Sequence, residues 1–81
     1  MSCTVIDMKK TGELLKATIH DAGYDVKYIQ EHLQMSCPSA IYKWYKGKIL
    51  PSIDHLYSLS VLLDMHMEDL IVQKNFEEKE D

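Results

Sequence analysis

Apolar residues recur every three or four positions along most of this 81-residue chain, the period of an amphipathic α-helix. In residues 7–22, DMKKTGELLKATIHDA, Met8, Leu15, Ile19 and Ala22 fall near one stripe, and Gly23 supplies a stop. DVKYIQEHLQ follows, with Asp25 placed to cap a second helix and Tyr28, Ile29 and Leu33 as its apolar positions. Gln34–Ser36 makes a short link to a third helix, Pro38 to Tyr45. Proline suits the first turn there, with Ser36 or Cys37 as the cap, and Gly47 ends the helix before the loop KILP. SIDHLYSLSVLL then repeats Ile53, Leu56, Leu59 or Ser60, and Leu63. HMEDLIV makes a last short helix with Met67, Leu70 and Ile71. No run sustains the alternation of a strand. The pattern predicts an all-α domain of five helices over residues 7–72 and an acidic tail over 73–81. The short link between the second and third helices forces a sharp crossing, the geometry of a helix-turn-helix.

The third helix is divided between two faces. At 100° per residue, Ser39, Tyr42, Lys43 and Lys46 share one arc, while Ala40, Ile41, Trp44 and Tyr45 share the other. The polar arc is either the wet side of a core helix or a surface that reads a nucleic acid.

Charge sharpens that choice. The net charge is −4, which argues against a nucleic-acid partner until its distribution is considered. Residues 1–23 sum to zero, residues 24–50 to +2 and residues 51–81 to −6. The middle of the chain, which holds the divided helix, is the basic part. There is no arginine, so a bidentate arginine contact to guanine or phosphate is excluded.

Order and spacing together carry a resemblance. The run GYDVKYIQEHLQMSCPSAIYKWYKGKILPSIDHLYSLSVLLDMHMEDLIV, with the helix before it, resembles the Xre/Cro family of lambda-repressor-like helix-turn-helix DNA-binding domains. Ile29 and Leu33 match the second helix, and Ile41 and Trp44 the third. KGKILPS resembles the family's Gly-basic-x-x-Pro-Ser loop, HLYSLSVLL its fourth helix and MHMEDLIV its fifth. Three departures stand out. Gln34-Met35-Ser36-Cys37 is one residue longer than the usual turn. Ile19 and Tyr45 occupy the positions of a frequent Arg–Glu ion pair, so an apolar contact replaces it. Asp64 stands for a glycine after the fourth helix, and His66 for the Ser or Thr cap of the fifth.

The resemblance implies a five-helix lambda-repressor-like domain that occupies an operator in double-stranded DNA and regulates transcription. It implies that Ser39, Tyr42 and Lys43 meet base edges in the major groove, and that Lys27, Lys46, Lys48 and Ser52 meet phosphates. Operators of two half-sites about one helical turn apart imply a homodimer. Leu70, Ile71, Val72 and Phe76, the last apolar residues before the acids, are the expected interface. The alternative is a protein-interaction module, or an antitoxin-like partner-binding protein, that kept the fold with weak DNA affinity.

Other chemistry has little support. Tyr42 and Lys46 form a Tyr-x-x-x-Lys pair, but no Gly-rich dinucleotide loop or strand pattern accompanies it. The four histidines are 12, 23 and 11 residues apart, never at the i, i+3 or i+4 spacing of a helical metal site. Cys3 and Cys37 match neither a disulfide framework nor a metal motif. No enzyme, metal or cofactor is expected. No apolar run reaches membrane-spanning length and no signal-peptide pattern opens the chain, so a cytoplasmic protein is expected.

Overall fold

A computed structural model describes residues 5–74. Four α-helices, α1 (Met8–Asp21), α2 (Val26–His32), α3 (Ser39–Tyr45) and α4 (Ile53–Leu63), lead to a single 3-10 turn, Met67–Leu70. Among the described residues no helix is long and apolar enough to cross a membrane. The fold is all-α, as the periodicity predicts, with one correction to the helix count. The expected fifth helix is only the 3-10 turn, since Ile71 at its C-cap is already extended. Its expected last residues leave the helical path instead. Asp7 N–H donates to the Val72 carbonyl at 2.8 Å and Lys74 N–H to that of Val5 at 2.7 Å. An antiparallel bridge joins Ile6 and Gln73.

Three helices start on side-chain caps. Asp7 accepts from Lys10 N–H, Asp25 from Tyr28 N–H and Ser52 from His55 N–H. All four end alike. Gly23, Gln34, Gly47 and Asp64 take positive φ of 89°, 57°, 75° and 55°. At each, the following residue's N–H reaches back to close the last turn, as from Met35 to the Gln30 carbonyl and from Met65 to that of Ser60. The link into α3 departs from expectation. With Gln34 left-handed, α2 stops at His32, and the connection spans 33–38 rather than Gln34–Ser36. Neither Ser36 nor Cys37 caps α3. Pro38 is its N-cap, without a side-chain hydrogen bond, and its carbonyl accepts from Ile41 and Tyr42 N–H.

Leu15 and Ile19 of α1, Ile29 of α2, Ile41 and Trp44 of α3, Leu56 and Leu59 of α4, and Leu70 form one buried cluster. Burying each aliphatic member contributes about 1.5–3 kcal/mol against the chain entropy lost on folding. α1 packs mainly on α3, and α4 on the final turn. Thr11, also buried, joins the end of the chain to this core: its hydroxyl accepts from Val72 N–H at 2.9 Å.

Candidate nucleic-acid interface

The two arcs of α3 separate as its sequence predicts. Ile41 and Trp44 are buried, Ala40 and Tyr45 are half-buried, and Ser39, Tyr42, Lys43 and Lys46 are exposed. The buried arc is held from two sides. On one, the Trp44 indole meets the His55 imidazole of α4 at 5.7 Å between ring centroids. On the other lies Gly12 of α1. A Cβ there would collide with the Trp44 carbonyl oxygen and lie 2.7 Å from that of Tyr45, so only glycine lets the helices meet this closely. Gly47, just past α3, has positive φ, and a Cβ on it would lie 2.6 Å from the Lys9 Cα. α3 is therefore fixed on α1 at its last turn and just beyond.

Gly47 is legible in the sequence as a helix end, whereas the role of Gly12 is not. The available signal was a glycine in the middle of a helical pattern, which costs about 1 kcal/mol relative to alanine unless packing demands it.

Tyr42 stands 49% exposed on the outer face, with Ser39 and Lys43 beside it on the same arc. Lys27 lies exposed in the first turn of α2, and Lys46 and Lys48 are exposed around Gly47. Among the described residues none of these lysines is ion-paired; the one close pair is His20 with Asp21, at 3.9 Å. Ser52 is exposed but already accepts from His55 N–H at 3.3 Å, which leaves its hydroxyl proton free to donate outward.

Ser39 has a neighbour that the sequence did not reveal. Its Oγ lies 3.1 Å from the Cys37 Sγ. This hydrogen bond is the main reason the exposed Cys37 thiol ionises more readily than an ordinary one, with a smaller contribution from Lys43. The Tyr45 hydroxyl is shifted the other way, held neutral to higher pH chiefly by burial and secondarily by Tyr42.

Ile19 and Tyr45, at the positions of the missing ion pair, line one groove, and Ile19 is also a fully buried core residue. The expected interface residues are scattered in their surroundings. Leu70 is completely buried in this chain's own core and has no surface to offer a partner, which corrects that expectation: elements upstream in sequence enclose it. Ile71 and Val72 are half-buried, and Phe76 lies outside the described residues. Among the described residues no group of three His, Cys, Asp or Glu could hold a metal ion.

No protein-family model matches the chain, and no curated protein matches it in sequence. Solved structures do match in shape. The restriction-modification controller protein C.AhdI from Aeromonas hydrophila superposes with a TM-score of 0.69 at 19% identity, covering 79% of this chain and 96% of that one. The clp gene regulator ClgR from C. glutamicum superposes with a TM-score of 0.66 at 20% identity, covering 82% of this chain and 84% of that one. Together with the order of helices, these similarities show that the chain has the lambda-repressor-like helix-turn-helix fold.

Proposed function

We propose that this protein is a sequence-specific DNA-binding regulator of transcription that occupies an operator through α3. The observation that carries the proposal is the anchored two-faced helix: Ile41 and Trp44 fix α3 from within, while Ser39, Tyr42, Lys43 and Lys46 stand outward together. Two proteins of this fold are a restriction-modification controller and a gene regulator, which supports the same reading. Ser39, Tyr42 and Lys43 read base edges in the major groove; lysine donates to guanine O6 or N7, and serine serves either base. Lys27, Lys46, Lys48 and Ser52 meet phosphates and set the register. Both helix starts carry a carboxylate, Asp25 at the cap of α2 and Asp54 in the first turn of α4, which weakens each as an anion site.

A second reading has a specific observation in its favour. Net charge −4 and the lack of arginine suit an interaction module that kept the fold and lost DNA affinity. An electrophoretic shift against random-sequence DNA at low and moderate salt decides between them. Retarded DNA with steep salt dependence supports the regulator. No retardation at low salt contradicts it.

The DNA-bound form in this proposal is a homodimer, because one such domain reads only a few base pairs. With Leu70 enclosed, the contact moves to α4. Ile53, Tyr57 and Val61 follow at four-residue intervals and are 71%, 60% and 63% exposed, an aligned apolar stripe on an 11-residue helix. In a two-fold contact this stripe meets its own copy. Sedimentation should show a dimer that Tyr57→Asp dissociates; a monomer at high concentration, free and with DNA, contradicts the dimer.

A further inference from the structure

A groove of about 550 Å³ lies away from the outward face of α3, bounded by α1, the start of α2 and the end of α3. Ile19 forms its buried part, Tyr24, Val26 and Tyr45 contribute half-buried side chains, and Ala17 is exposed at its edge. The size and the apolar lining suit a small organic molecule.

Two features define which kind. The first is aromatic. The Tyr24 ring is stacked on Tyr28 at 4.6 Å with 15° between planes, and Tyr28 on His32 at 6.0 Å with 10°. Tyr24, at the end of this ladder, and the half-buried Tyr45 phenol are two rings lining the same groove. Ring faces carry negative quadrupole charge and attract ammonium groups. The second is ionic. Glu13, Asp21 and Asp25 stand around the groove against the single lysine Lys16, with His20 beside Asp21. Asp25 is engaged in capping α2, whereas Glu13 and Asp21 are on the exposed side of α1. An anion would meet excess negative charge, and a neutral apolar molecule would use only part of what the groove offers.

We infer that this groove binds a small organic ammonium ion with an apolar ring, its body over Ile19 and Val26 and its charge between the tyrosine faces and the carboxylates of Glu13 and Asp21. Nothing in this requires DNA, so the site stands or falls separately from the operator reading.

The test is an NMR titration of the whole chain. The probes are 1-naphthylmethylammonium, 1-naphthalenemethanol and 1-naphthaleneacetate, which share a ring and a one-carbon arm but differ in charge. The ammonium should give saturable shifts at Ala17, Ile19, Val26 and Tyr45. The alcohol should bind several-fold more weakly and the carboxylate about tenfold or more, the scale of a cation–π contact with an added ionic preference. Tyr24→Leu keeps apolar bulk but removes a ring face, and should reduce the ammonium's advantage over the alcohol. Asp21→Asn, at an exposed position that cannot unfold the domain, should narrow the gap between ammonium and carboxylate. Ala17→Trp should fill the groove edge and weaken all three. Equal binding of the three probes, no saturable shift with the ammonium, or selectivity unchanged in both Tyr24→Leu and Asp21→Asn would overturn the inference.

Discussion

Gly12 of α1 faces the carbonyl oxygen of Trp44 in α3, with no room between them for a methyl group. Elsewhere in a helix, glycine to alanine raises stability by about 1 kcal/mol. Here the added carbon meets backbone, which cannot rotate away. Gly12→Ala should therefore lower stability by about 1–3 kcal/mol, the usual cost of overpacking. Chemical denaturation measures it, and an unchanged or higher midpoint would show that the two helices can separate without loss.

Gln34 and Asp64 hold left-handed conformations that glycine adopts without strain. Gln34→Gly should stabilise the domain by about 0.5–1 kcal/mol, and Asp64→Gly by less, since aspartate tolerates this region better. The sites belong to different helices, so the gains should add in the double variant. Thermal unfolding of the three variants checks the order; a loss at position 34 would contradict the backbone assignment.

The helices were legible in the sequence because a repeated apolar period leaves little freedom. Leu15, Ile19, Ile29, Ile41, Trp44, Leu56 and Leu59 lie on the predicted stripes or helix faces and are buried, whereas Ala22, Tyr28 and Ile53 of the same stripes lie exposed. The two faces of α3 followed from the same arithmetic. What was hidden depended on partners distant in the chain. Nothing near Thr11 says that Val72 lies against it, 61 residues away. Without that pairing the final segment reads as a helix with an exposed apolar end, and Leu70 as a surface residue. The length of the link into α3 was hidden for a local reason: glutamine rarely turns left-handed, so Gln34 does not announce the wider connection over 33–38.

Thr11 supplies the test of that distant pairing. Thr11→Val keeps the shape but leaves the half-buried Val72 N–H without its acceptor. Stability should fall by about 1–3 kcal/mol. Thr11→Ser, which restores the hydroxyl, should regain part of it. Hydrogen exchange at Val72 should accelerate in Thr11→Val; exchange unchanged from the parent would show that this bond does not hold the segment.

The Cys37–Ser39 contact predicts a pH dependence. A lowered pKa means that Cys37 is thiolate over a range where an ordinary thiol remains protonated. Its alkylation by iodoacetamide, followed by site-resolved mass spectrometry so that Cys3 is counted separately, should rise at lower pH than in the unfolded chain. Ser39→Ala removes the principal cause and should move the midpoint upward. The same midpoint in parent and variant would exclude the hydrogen bond as its source.

In the proposed complex with DNA, the outward face of α3 reads bases while the loop after it meets only the backbone. Lys43 lies in the middle of the polar arc, and Lys48 follows Gly47 beyond the helix. Losing a base contact costs about 1–3 kcal/mol at the preferred site and relaxes preference at one position. Losing a phosphate contact weakens all sequences alike and lowers the salt slope by about 0.9. The deciding quantity is the ratio of affinities for a selected site and for random DNA, measured at one salt concentration for the parent, Lys43→Ala and Lys48→Ala. The ratio should shrink in Lys43→Ala and stay at the parent value in Lys48→Ala; equal ratios in all three proteins would contradict base reading by Lys43.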